Sequence, residues 1–162
     1  FRDRLTRHAH HKIVVNPSLQ EMSGFPDTLS LTPPQGNVPA SWIDRQSKIC
    51  DFENIFSNQI DTTLHTGNKP LFGTGLDRMN EFCDFCFRLQ HNHIIAGGHS
   101  VWFRYFFRTF LPYDCDHVAK KNKIVNCGCI AFTLLKAKTE EHGDCYMIEP
   151  ESIRVIYGGF LA

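Results

Sequence analysis

Apolar positions in this chain fall into a few short runs with sharp edges. Between residues 76 and 89 they occur at Leu76, Met79, Phe82, Cys83, Cys86 and Leu89. That three- and four-residue spacing marks one buried helical face and predicts a helix there. "HIIAG" (93–97) is a continuous apolar run ending at Gly97-Gly98, and predicts a strand. After the glycine turn, "SVWFRYFFRTFL" predicts a second helix from Ser100 to Leu111, stopped by Pro112, because proline cannot continue a helix. "KIVVN" (12–16) reads as a short strand closed by the turn Asn16-Pro17-Ser18. Towards the C-terminus, the polar loop "YDCDHVAKKNK" leads into "IVNCGCIAFTLLKA" (124–137), apolar enough for one buried strand. "CYMIEPESIRVIYGG" (145–159) reads as two short strands around Pro150.

Elsewhere the pattern is weaker. "FRDRLTRHAH" (1–10) reads as the charged end of a helix. Met22 to Pro39 holds Gly24, Pro26, Pro33, Pro34, Gly36 and Pro39 and predicts a long loop, and residues 40–60 have room for one or two short helices. Residues 22–75 together form a loop or insert region within a single domain spanning 1–162. Strands alternating with helices predict an α/β fold: a mixed, mostly parallel sheet with helices on both faces and a β-rich C-terminal edge.

With 162 residues, 42% of them hydrophobic, the chain can bury one sizeable core. Seventeen basic residues balance seventeen acidic ones. The broad positive field of a nucleic-acid or membrane-surface binder is therefore missing, and any anion site must be local. No apolar run approaches the roughly 20 residues needed to span a bilayer. Seven cysteines, odd in number and scattered through helix-like and strand-like runs, suit free thiols better than a disulfide framework. These features predict a soluble, cytoplasmic protein. The first residue is Phe rather than Met, so the sequence is expected to be part of a longer chain.

The candidate chemistry concentrates at Gly97-Gly98-His99-Ser100. A strand that runs through a glycine turn into a helix aims free helix N–H groups at its end, where such sheets bind anions. His99, with Arg104 just over one turn further and Arg108 four residues beyond that, makes a phosphate cradle; a hydrogen-bonded His in a tight turn is the plainer alternative. A second reading makes Ser100 the nucleophile of an α/β-hydrolase elbow, with Asp114, Asp116 or Asp144 and His117 or His142 behind it. The elbow needs a small residue two positions after the serine, and Trp102 stands there. A third reading is metal binding by Cys83-x-x-Cys86, His91-x-His93 and Cys127-x-Cys129. Cys83 and Cys86 fall on the apolar face of the first helix, so core packing is their expected role, and neither metal nor cofactor is expected.

"HIIAGGHSVWFRYFFRTFLP" followed by "KKNKIVNCGCIAFTL", together with "KIVVNPSLQEMS", resembles the histidine phosphatase superfamily in its phosphoglycerate mutase branch. The resemblance covers most of the chain, patchily between 24 and 75, and is most specific around His99. It implies a phosphoglycerate mutase-like sheet lacking its first strand. It also implies transfer of a phosphoryl group from a small phosphate monoester through a phosphohistidine, as phosphatase or mutase, with a homo-oligomer allowed. Catalysis then falls to His99, as donor to the phosphoryl oxygens, and Glu21, as general acid and base. Substrate phosphate binding falls to His99, Ser100, Arg104, Asn126 and Lys123. Lys120 and Lys121 are expected beside Lys123 on the pocket side. The family's nucleophile sits in an Arg-His-Gly motif ending a buried first strand. Arg7-His8-Ala9 mimics that motif but lies in a polar helical stretch, so His8 is expected to be a decoy and the chain alone to be inactive. A non-catalytic phosphate-binding or interaction module on the same scaffold is the alternative.

Overall fold

The computed structural model describes residues 12–22, 59–65, 67, 75–141 and 143–161. The expected N-terminal helix end with His8 lies outside the described residues, as do all but the last two residues of the 40–60 stretch expected to hold short helices. So does most of the predicted loop. The chain divides into two compact units, Phe1–Pro17 with Leu29–Pro70 and Ser18–Thr28 with Leu71–Ala162.

In the first unit, β1 (Ile13–Val14) pairs in parallel with β2 (Ile60–Asp61), Ile13 opposite Ile60 and Val14 opposite Asp61. β1 sits where the sequence predicted it and ends before Pro17, which opens a 3₁₀ turn, Pro17–Leu19. β2 is a strand inside the region read as loop or insert.

The second unit is built on two helices, α1 (Gly75–Arg88) and α2 (Ser100–Phe110). α1 buries Met79, Phe82 and Cys83, as the spacing predicts, while Leu76 in its first turn is exposed. α2 buries Trp102, Phe106, Phe107 and Phe110. Two adjacent helical turns thus present one aromatic face. Phe82 meets the edge of Trp102 at 5.4 Å between ring centroids, and Trp102 stacks on Phe106 at 4.9 Å. Fully burying side chains of this kind stabilises by roughly 1.5–3 kcal/mol each. α2 ends because Leu111, extended at ψ 144°, precedes Pro112, and the residue before a proline is pushed out of the helical region.

Beyond α2 the chain forms β3 (Cys129–Ala131), β4 (Leu134–Thr139), β5 (Gly143–Ile148) and β6 (Arg154–Tyr157). β4 and β5 form an antiparallel hairpin running from Leu134 opposite Ile148 to Thr139 opposite Gly143. β3 pairs antiparallel with β6, so the two strands expected around Pro150 are present but in different sheets. The single buried strand expected over 124–137 is instead an isolated bridge at Ile124, a turn, β3 and then β4. Cys127, at φ +60°, and Gly128 break it, because a residue in the left-handed region cannot continue a strand. Among the described residues every sheet has two strands, and β1 with β2 is the parallel pair.

Residues 93–99 correct a second expectation. They form no strand among the described residues, and Ile95 is 85% exposed. In a strand, adjacent residues such as Ile94 and Ile95 would point to opposite sides, so burying both would require cover on both faces. Only Ala96 of the run packs on the core.

Candidate functional site

The two segments that the resemblance assigns to one site are in contact. The Trp102 indole N–H donates to the carbonyl of Ser18 at 2.9 Å, within the buried interior. Leu19 Cδ2 lies 3.9 Å from the point where a Cβ on Gly98 would stand. The 18–22 segment that carries Glu21 is thereby docked on the start of α2, whose N-cap is His99.

α1 holds the same segment from its other side. Arg78 donates to the Gln20 carbonyl at 2.6 Å, and the Ser18 hydroxyl donates to Glu81 Oε2 at 2.9 Å. Burial pulls the Arg78 guanidinium below its ordinary value, opposed by the nearby carboxylates of Glu81 and Glu21. Glu21 is half-buried, and its Oε1 accepts the N–H of Met22 at 2.6 Å. That bond sets its conformation locally.

His99 is exposed, extended at φ −100° and ψ 147°, and makes no side-chain cap bond; its carbonyl accepts from Phe103 N–H at 3.0 Å. Ser100 is the first helical residue and half-buried. Arg104 is half-buried with its guanidinium 5.5 Å from the centre of the Tyr105 ring, and Arg108, a turn on, is exposed. No hydrogen bond or ion pair among the described residues engages the side chains of His99, Ser100 or Arg104.

The remaining candidates sit in the loop and turn that precede β3. Lys123 accepts the Leu161 N–H through its carbonyl at 2.8 Å, and Asn126 is exposed at the head of the turn closed by Gly128 N–H to Val125 O at 2.8 Å. No hydrogen bond or ion pair among the described residues joins either to His99 or Glu21. Lys120 and Lys121 are engaged elsewhere. Lys120 Nζ donates to the carbonyls of Pro112 and Tyr113 at 2.9 and 3.0 Å, just past the end of α2, and Lys121 pairs with Asp116 at 2.5 Å. His117 Nδ1 accepts from Ala119 N–H at 3.1 Å and so caps a 3₁₀ turn, Val118–Lys120; no hydrogen bond joins it to Ser100.

Cys83 and Cys86 occupy the core side of α1, where burial raises both thiol pKa values, Cys86 to about 11. That agrees with the packing role expected for them. The sequence reading missed Arg78, Glu81 and Ser18, the residues that fix the Glu21 segment. The signal for Arg78 and Glu81 was an Arg and a Glu three apart on an amphipathic helix, a spacing that puts both on one face. Among the described residues, no helix is long and apolar enough to cross a membrane. No family model, curated protein or solved structure matches the chain.

Proposed function

We propose that the chain belongs to a phosphoryl-transfer enzyme of the histidine phosphatase kind, acting on a small phosphate monoester and independent of nucleic acid. In this reading His99, Ser100 and Arg104 hold the phosphoryl oxygens, and Glu21 exchanges a proton with the leaving or attacking hydroxyl. One observation carries it: the Ser18–Met22 segment docks on the start of α2, through Trp102 to Ser18 and Leu19 beside Gly98. Two segments about 80 residues apart, to which the resemblance gives an acid-base carboxyl and a phosphate-binding imidazole, therefore meet. The reading carries with it a mixed, mostly parallel α/β sheet; among the described residues β1 with β2 is a parallel pair, while β3 with β6 and β4 with β5 are antiparallel.

The chemistry is consistent with the groups present. A phosphoryl group in transfer carries its charge on the equatorial oxygens, which cationic and N–H donors stabilise. A carboxyl can protonate a departing alkoxide. Within these 162 residues the Arg-His-Gly nucleophile motif does not occur, so the property to test on this chain is phosphate binding.

Inorganic phosphate is titrated into isotope-labelled chain and followed by NMR. Saturable shifts at His99, Ser100 and Arg104 are expected, with Arg104→Ala weakening binding roughly tenfold, the scale of one charge-assisted hydrogen bond. Absence of any saturable shift at these residues sinks the reading. Hydrolysis of p-nitrophenyl phosphate is expected only when an Arg-His-Gly segment is supplied.

A further inference from the structure

Cys127 and Cys129 flank Gly128 in the turn that leads into β3. The turn is tight. A Cβ on Gly128 would stand 2.6 Å from Ile124 Cγ2 and 2.9 Å from the Val125 carbonyl oxygen. Gly158, at φ +75°, closes the other side, where a Cβ would stand 2.4 Å from Val125 Cγ2 and 3.2 Å from Gly128 Cα. The turn is pinned to the C-terminal segment by Val125 N–H to Gly159 O at 3.0 Å. Its third residue is Cys127, at φ +60°, where glycine or asparagine is usual.

Both thiols are exposed. They differ in this from the other cysteines among the described residues. Cys83 is fully buried, and Cys86 is held protonated by burial, its pKa pushed up to about 11. Cys145 is half-buried, with its sulfur 3.8 Å from both the Gly143 carbonyl and the Thr139 hydroxyl. Cys115 is also half-buried.

We propose that Cys127-Gly128-Cys129 is a dithiol redox site that reacts with low-molecular-weight disulfides and closes to an intramolecular disulfide. Two peptide steps keep the two Cα atoms within about 7 Å, at the upper edge of the range a disulfide bridges, roughly 4.4–6.8 Å. A small backbone movement suffices, and the resulting bond is strained and therefore easily reduced. In the first step the Cys127 thiolate attacks one sulfur of the disulfide RSSR, forming a mixed disulfide and releasing RS⁻. In the second the Cys129 thiolate attacks the Cys127 sulfur, forming the intramolecular bond and releasing the second RS⁻. The two protein thiols lose two electrons to the disulfide, and their two protons end on two RSH molecules.

The full chain is equilibrated in glutathione and glutathione disulfide mixtures, quenched with acid and digested with trypsin. Cleavage after Lys123 and Lys136 places Cys127 and Cys129 alone in the peptide 124–136. As the oxidised share rises, this peptide is expected to become two hydrogens lighter without a glutathione adduct, and to recover on treatment with a dithiol reductant. Cys127→Ser and Cys129→Ser are each expected to stop at the glutathione adduct. Either of two results overturns the proposal: a wild-type peptide that stays unmodified or carries glutathione without the internal bond, or faster reaction at Cys83 or Cys86.

Discussion

A single indole N–H joins the Glu21 segment to α2, and its replacement isolates what that bond contributes. Trp102→Phe keeps an aromatic ring in the cluster with Phe82 and Phe106 but leaves the Ser18 carbonyl without this donor. Losing one partner of a buried hydrogen bond costs about 1–3 kcal/mol, and the smaller ring adds to this. A lowered urea midpoint is expected, together with weaker phosphate binding at His99, although Trp102 touches no phosphate. Unchanged phosphate affinity in the folded variant would mean that docking of the 18–22 segment does not serve the site.

At the scale of elements, the β4–β5 hairpin is fastened to α1 through Tyr146. Its hydroxyl donates to Asp84, its ring stacks on Phe87 at 5.7 Å, and Lys136 lies 5.6 Å above that ring while pairing with Asp144 at 2.7 Å. Burial first, and then the bond to Asp84, push the Tyr146 pKa from 10.0 to about 12. Because the folded value lies above the unfolded one, the stabilisation is complete below pH ~10 and falls as pH rises through the window from about 10 to about 12. Urea midpoints measured across that window should fall in the wild type and fall less in Tyr146→Phe. This fastening was not legible in the sequence, since it joins residues 62 apart and no local pattern announces such a pair. The helices were legible because their faces repeat within a few residues: Met79, Phe82 and Cys83 in α1, and Trp102 and Phe106 in α2. The strands were less so. The run over 124–137 shows no change of hydrophobic pattern where Cys127 and Gly128 turn the chain, and Ile94-Ile95 reads as buried although it lies exposed. In the candidate site, His99 was picked out by its place between a glycine turn and a helix and Glu21 by the family resemblance, while Arg78, Glu81 and Ser18 act through tertiary contacts that no local pattern announces.

Over the whole molecule, acidic and basic residues cancel, so any attraction for a phosphate ester comes from a few local donors rather than a general field. Exposure of the 93–97 run is a second molecule-wide feature. Ile95→Lys is expected to shift the unfolding free energy by no more than about 0.5 kcal/mol, as for other surface changes. A loss of several kcal/mol in urea unfolding would instead reveal a strand buried within a sheet. Finally, the Trp102 bond to Ser18 gives this molecule an internal optical reporter. The indole is fully buried in an aromatic cluster, so its fluorescence should be shifted to the blue, and it should move to the red whenever the 18–22 segment lifts and water reaches the ring. With Trp42→Phe removing the second tryptophan, the emission colour of one residue would follow the joining of the two halves of the site in real time.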